Sequence, residues 1–203
     1  DVERSRGLGD VYKRQLQEIR LLGLKDLPFC WGEIEECGKD PLENARQKAL
    51  AYYRICGQPV FSQDSGLYIE GLPKERQPGV HVRRVNGVNL TDEQMRKYYK
   101  KIAAEFGGRC VAQYQNAICL VFSENEIYEA RGGALNWKKF WLMTEERPQR
   151  MEGFPLDAIC ADYRTGRHFY DGEATMPEEE GDGVRDFFRN ALKQHEMRNK
   201  IEK

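Results

Sequence analysis

The sequence has no surplus of either charge: 32 Lys and Arg face 33 Asp and Glu, a formal net charge of −1. That balance leaves no electrostatic footprint for duplex nucleic acid or an anionic membrane surface. No apolar run approaches the roughly 20 residues that a spanning helix needs, and no signal peptide is visible. Cysteine is sparse and scattered: six residues (Cys30, Cys37, Cys56, Cys110, Cys119 and Cys160) without one Cys-x-x-Cys pair. This excludes the usual structural zinc spacing and points to a reduced, cytoplasmic protein. Cys56, Cys119 and Cys160 lie in apolar runs and read as small core residues. The three histidines, His81, His168 and His195, do not cluster, so neither a histidine metal site nor a Ser-His nucleophile gains support. No internal repeat is present. What remains is a chain of 203 residues, enough for one large α/β domain or two small ones with a sizeable core.

The first fifteen residues lack apolar periodicity. The run from Ser5 to Gln15 resembles one reading frame of a transposase-type sequencing adapter. Residues 1–15 are therefore expected to be a foreign leader, with a single domain over 16–203. Leu16, Ile19, Leu22 and Leu24 suggest a helix ending near Gly23, and Pro28 to Ile34 a short strand. Asp40-Pro41-Leu42-Glu43 supplies a capping acid, a proline at the first helical position and a carboxylate three residues after the cap. That helix is expected to run to Cys56 and stop at Gly57. A second capping box, Thr91-Asp92-Glu93-Gln94, opens a helix to about Phe106. Arg109 to Ser123 reads as a long strand returning through Ile127 to Ala130 as a hairpin. Gly132 to Arg150 suggests a strand and a loop, His168 to Asp171 a short strand, and Asp182 to Lys200 a final helix.

The most informative stretch is Phe61 to Leu72. It begins apolar, turns polar at Ser62-Gln63-Asp64-Ser65, and becomes apolar again at Leu67. A buried strand ending in an acid, a hydroxyl and a glycine is one way an α/β protein presents chemistry at a strand's edge. The plainer reading is a turn between two strands, since Asp, Ser and Gly are ordinary turn residues. Taken singly, the neighbours are equally plain: Glu43 is a good cap, Lys48 a solvated helix charge, Phe154 a core residue.

Their joint order is more specific. Leu42-Glu43-Asn44-Ala45 with Lys48-Ala49, then Pro59-Val60 and Asp64-Ser65-Gly66-Leu67, then Pro78-Gly79-Val80 with Arg84 and Gly87, resembles the inosine/xanthosine triphosphate pyrophosphatase family. The resemblance extends from about Leu16 to Leu192 and is densest from Pro41 to Gly87. It implies an α/β fold: an elongated mixed β-sheet flanked by helices, in two lobes with a central nucleotide cleft, commonly as a homodimer. It implies Mg²⁺-dependent hydrolysis of non-standard purine nucleoside triphosphates to monophosphate and pyrophosphate. By the same resemblance Glu43 and Asp64 would hold Mg²⁺, and Asp64 would activate the attacking water. Lys48, Ser65 and Arg84 would contact the phosphates, and Phe154 and Asp157 would build the base pocket. This assignment suits the chemistry. Magnesium takes oxygen ligands, often one or two carboxylates completed by phosphates and waters. Glu43 occupies a helix's first turn, where the dipole favours an ionised carboxylate.

Three departures qualify the resemblance. The family's phosphate loop, Thr-Gly-Asn-x-x-Lys-Leu-x-Glu-Ile, is matched only at its end by Leu16-Gln17-Glu18-Ile19; its Lys and Asn fall on Gln15 and Tyr12. Gln63 occupies a position where many members carry an acid. The late Lys and Ser-His-Arg have no clear counterpart near Gly181 to Phe188, where Arg185 is the available cation. Two other readings follow: a purine nucleotide-binding module that senses without turnover, and an unrelated phosphohydrolase using Glu43 and Asp64.

Overall fold

A computed structural model describes residues 21–26, 32, 34, 37–171 and 182–201. Three α-helices are present among them: α1 (Pro41–Cys56), α2 (Asp92–Glu105) and α3 (Asp182–Ile201). The strands are β1 (Val60–Ile69), β2 (Arg84–Val85), β3 (Val88–Asn89), β4 (Arg109–Ser123), β5 (Glu126–Arg131), β6 (Phe140–Met143) and β7 (Cys160–Asp162). The main sheet has five strands in the order β1-β4-β6-β7, with β5 on β4, and β2 pairs β3 separately. The β4–β5, β4–β6 and β6–β7 pairs are antiparallel. The result is a mixed α/β protein whose sheet is flanked by helices, as the sequence implied.

The chain forms two compact units. The first comprises the described residues of Asp1–Asp64, Asn116–Leu135 and Glu178–Lys203; the second, those of Ser65–Gln115 and Asn136–Pro177.

In the first unit, the last half of β4 is buried on both faces, and the alternation of its side chains says by what. Cys119 and Val121 pack with Ala45 and Ala49 of α1, joined by Val60 and Ile127. Ile118 and Leu120 point the other way and pack with Val184, Phe188 and Ala191 of α3, joined by Phe61 and Tyr128. Phe61 meets Phe188 edge to face, with centroids 5.0 Å apart. A strand covered on both sides reads as a continuous apolar run, which explains why Ala117 to Phe122 shows no polar alternation. Helix α1 starts as expected: the Asp40 carboxylate accepts from the N–H groups of Leu42 and Glu43, Pro41 is the first residue, and Gly57 closes it at φ +62°. The Glu43 carboxylate departs from a simple capping box. It accepts from Lys39 N–H at 2.7 Å, one residue before the cap.

The second unit is built on α2, whose cap is a full capping box between Thr91 and Gln94. Its apolar stripe (Met95, Tyr99, Ile102 and Ala103) packs on Leu67, Ile69, Cys110, Ala112 and Leu142. The buried Tyr99 hydroxyl donates to the Val82 carbonyl at 2.9 Å, and burial pushes its pKa up. Arg84–Val85 and Val88–Asn89 form a two-residue hairpin whose central Asn86 and Gly87 both have positive φ, 50° and 79°. An Asn-Gly pair is the residue choice such a mirror-image turn requires, and the sequence reading passed over it.

Expectations for three segments are corrected, and a fourth lies largely outside the described residues. The Asp64-Ser65-Gly66 block is not a turn between two strands; Val60–Ile69 is one continuous strand. Gly66 serves close approach instead: a Cβ there would lie 3.0 Å from the Gly79 carbonyl carbon. His168 to Asp171 is not a strand, because only His168 makes an isolated bridge, to Ala161, before a 3₁₀ turn at Phe169–Asp171. Leu21 to Gly23 are not helical and lead into a 3₁₀ turn at Leu24–Asp26; the remainder of the expected helix from Leu16 lies outside the described residues. Of the expected strand from Pro28 to Ile34, only Gly32 and Ile34 are described, and neither is in a strand. Cys119 and Cys160 are core residues as expected, whereas Cys56 is only half-buried, and Cys110 is a further buried thiol.

Candidate active site

The site grows out of the packing of α1 on β1. Val60 and Asp64 are four residues apart on one strand, so their side chains share a face. Val60 joins the apolar contact with α1, and Asp64 reaches the same helix at its first two turns. There the Asp64 Oδ1 receives the Lys48 ammonium at 2.9 Å, and Oδ2 receives the Asn44 amide at 3.1 Å. The ion pair is largely enclosed, with 18% of the Lys48 side chain and 13% of the Asp64 side chain exposed. Lys48 and Asn44 lie one helical turn apart, which is the spacing that lets two residues of one helix face meet the two oxygens of one carboxylate.

Asn44 was quoted in the sequence motif but given no role. It is 2% exposed in the middle of an apolar stripe. Its Oδ1 accepts from Gly38 N–H at 2.9 Å, so both ends of the amide are used. An Asn at a helix position flanked by Ala45 and Ala49 is the signal that could have exposed it. Asn is a poor helix former, and burying its amide is costly unless both ends are bonded.

Glu43 is exposed on the first turn of α1, its carboxylate on Lys39 N–H. The structure thus joins Lys48 directly to Asp64, and Glu43 lies on the first turn of the same helix. Ser65 follows Asp64 on β1 but belongs to the second unit, as do Arg84, Phe154 and Asp157. Arg84 is exposed on the small hairpin, where its Nε donates to the Asn89 side chain at 3.3 Å. Phe154 and Asp157 are neighbours in a tight turn: Asp157 N–H donates to the Phe154 carbonyl at 3.3 Å, and Asp157 opens the 3₁₀ turn before β7. Arg185 is half-buried on α3, in the first unit.

The carboxylates supply the hard oxygen donors that a divalent cation such as Mg²⁺ takes. Among the described residues there is no group of three or more His, Cys, Asp and Glu side chains arranged to hold a metal.

Fold and site together define a mixed α/β protein that presents a charged, enclosed carboxylate at the junction of a helix's first turns and a strand. Sequence comparison makes the class specific: a sequence model of the Ham1 family matches residues 6–136, and the chain belongs to that family. The match begins inside the run expected to be foreign. The chain is 31% identical to the dITP/XTP pyrophosphatase of Treponema denticola over 77% of its own length and 79% of that protein's. It is 42% identical to the dITP/XTP pyrophosphatase of Geobacter sulfurreducens, over 36% of its own length and 35% of that protein's. The chain spans about a third of the Geobacter sulfurreducens protein's length and 54% and 58% of two further curated relatives'. The solved structure of the Staphylococcus aureus Ham1 protein superimposes with a TM-score of 0.60 at 23% identity, covering 97% of this chain and 95% of that one.

Proposed function

We propose that the chain hydrolyses non-standard purine nucleoside triphosphates (ITP, dITP and XTP) to the monophosphate and pyrophosphate, and so clears them from the nucleotide pool. The observation that carries the reading is the Asp64 carboxylate held between Lys48 and Asn44 in a chain of the Ham1 family.

Asp64 is the general base. It takes a proton from the water that attacks the α-phosphorus; the bond to the bridging oxygen breaks, and pyrophosphate leaves. A general base of this kind contributes about 10²–10⁴-fold to the rate. Lys48 has two roles. Without nucleotide it neutralises Asp64, and a triphosphate offers its ammonium competing oxygens, which leaves Asp64 Oδ1 to accept the water proton. Glu43 and Asp64 are the residues that would hold Mg²⁺, which when bound neutralises charge on the polyphosphate. By family resemblance, Ser65 and Arg84 donate to phosphate oxygens, Phe154 stacks on the base, and Asp157 helps build the base pocket. The reading also takes the protein as a cytoplasmic homodimer without nucleic-acid or membrane partners. No helix among the described residues is long and apolar enough to cross a membrane.

The test is product analysis with inosine, xanthosine and the standard triphosphates, with Mg²⁺ supplied and withheld. The reading expects pyrophosphate rather than orthophosphate, released fastest from the inosine and xanthosine triphosphates and only with the metal. Tight nucleotide binding without release would identify a sensor instead, and release of orthophosphate would refute the assigned bond cleavage.

A further inference from the structure

The segment before α1 makes contacts that the reaction described above does not use. Three consecutive backbone N–H groups, those of Cys37, Gly38 and Lys39, donate to three side chains of the helix: Gln47 at 3.4 Å, Asn44 at 2.9 Å and Glu43 at 2.7 Å. Two of these side chains lead directly to the two carboxylates of the proposed site. Glu43 is itself one, and Asn44 passes the contact on to Asp64 through its amide at 3.1 Å.

The orientation of that amide is forced by its partners. A backbone N–H only donates, so Asn44 must present Oδ1 to Gly38. A carboxylate only accepts, so Asn44 must present Nδ2 to Asp64. With both ends engaged and the side chain 2% exposed, the amide cannot turn over without losing both bonds. Gly38 is the residue that allows the segment so close. A Cβ on it would lie 2.4 Å from Asn44 Oδ1, 2.8 Å from Glu43 Cβ and 2.9 Å from Asn44 N. Two of those three atoms belong to the helix backbone or sit next to it, so no rotamer change relieves the clash.

We propose that Asn44 is a positioning residue for Asp64, and that the Gly38 strip locks it in place while fixing Glu43 through Lys39. Lys48 supplies the charge at Oδ1; Asn44 supplies the direction. When Lys48 moves to phosphate, Asn44 is the contact that keeps the Asp64 carboxylate aimed. The proposal rests on the assignment of Asp64 as the base.

The decisive substitution is Asn44→Asp. It conserves volume and keeps an acceptor for Gly38, but replaces the donated N–H with an oxygen facing Asp64. Asn44→Ala removes both bonds, and Gly38→Ala displaces the strip. Each is expected to lower kcat about 10–100-fold, the usual cost of losing a contact that orients a reacting ligand, with KM changed far less. In an Asp64→Asn background, Asn44→Ala should cost nothing further, because the group it orients is gone. A second readout does not need turnover: side-chain amide proton exchange at Asn44, measured by NMR on the full chain, should be slow and should accelerate in Asp64→Asn. Losses that are additive with Asp64→Asn, or that fall wholly on KM, would overturn the positioning role while leaving the assignment of Asp64 intact. Slow Asn44 exchange coupled to Asp64, in a chain that turns over no nucleoside triphosphate, would instead overturn the functional assignment and the positioning role that depends on it.

Discussion

Replacing Gly66 by alanine isolates what the centre of β1 contributes. Gly66 has an ordinary φ, so no backbone strain is involved. The cost is steric: the added Cβ would lie 2.9 Å from Tyr68 Cε2, 3.0 Å from the Gly79 carbonyl carbon and 3.2 Å from the Gly79 oxygen. The tyrosine ring can swing away, whereas the Gly79 backbone is held by two hydrogen bonds to Leu67, at 2.9 and 3.0 Å. Overpacking of this kind costs about 1–3 kcal/mol. The two hydrogen bonds that would otherwise stretch are worth about 0.5–1.5 kcal/mol each, which gives the same range. Urea unfolding should show the midpoint falling with an unchanged slope, and Tm should drop by about 2–4 °C per kcal/mol in a chain of this size. Gly57 is the control. Nothing lies within 4 Å of its position, but its φ is +62°, so Gly57→Ala costs through strain alone, and asparagine should recover part of the loss. Gly66→Asn should be worse than Gly66→Ala. Wild-type stability in Gly66→Ala would refute the close approach, and with it the correction of the expected turn into a continuous strand.

Three further outcomes follow from the packing. Glu146 is partly buried, which raises its pKa, but Lys100, Arg150 and Arg96 surround it and together hold it below the usual carboxylate range. Its stabilising contribution is therefore present above the unfolded pKa of about 4.3 and lost as pH falls through the lower folded value; a Glu146→Gln variant should show a flatter loss of stability below about pH 4.3, and curves of equal slope would contradict this. Phe188 is 3% exposed against Phe61 and Phe187, so Phe188→Ala should cost about 3–5 kcal/mol in chemical denaturation. His195 lies flat on Phe122 at 3.9 Å and is bonded to Glu126 at 2.9 Å, so His195→Ala should lower stability by about 1 kcal/mol, and an unchanged Tm would show that the contact adds nothing.

What the sequence revealed was local chemistry that names its own partner. Asp40 and Pro41 fix the start of α1, Gly57 its end, and Thr91 with Gln94 the start of α2, because caps are decided within four residues. The apolar run of β4 was legible because both of its faces are covered. Glu43, Lys48 and Asp64 were singled out through the order of their motifs, and the structure pairs Lys48 with Asp64. The failures have a common cause in contacts between distant segments. β1 was divided in two because Ser62 to Ser65 are polar, and nothing local shows that Asp64 is received by a helix sixteen to twenty residues earlier. Asn44 had no assigned role, because the partners at its two ends, Gly38 and Asp64, lie outside its helix. The His168 segment was read as a strand, but its Asp171 carboxylate is held by Arg147, from a distant loop, at the end of a 3₁₀ turn. The Asn86-Gly87 hairpin was the exception: its signal was local and was passed over.

The central claim is that Asp64 is the group on which hydrolysis depends. The most direct measurement is pyrophosphate release from ITP and XTP, with Mg²⁺, by the full chain and by Asp64→Asn, a substitution that keeps size and shape but removes the base. The account predicts steady release by the parent chain and a fall of at least about 10²-fold in the variant, with folding unchanged. Equal release by the two proteins would contradict it.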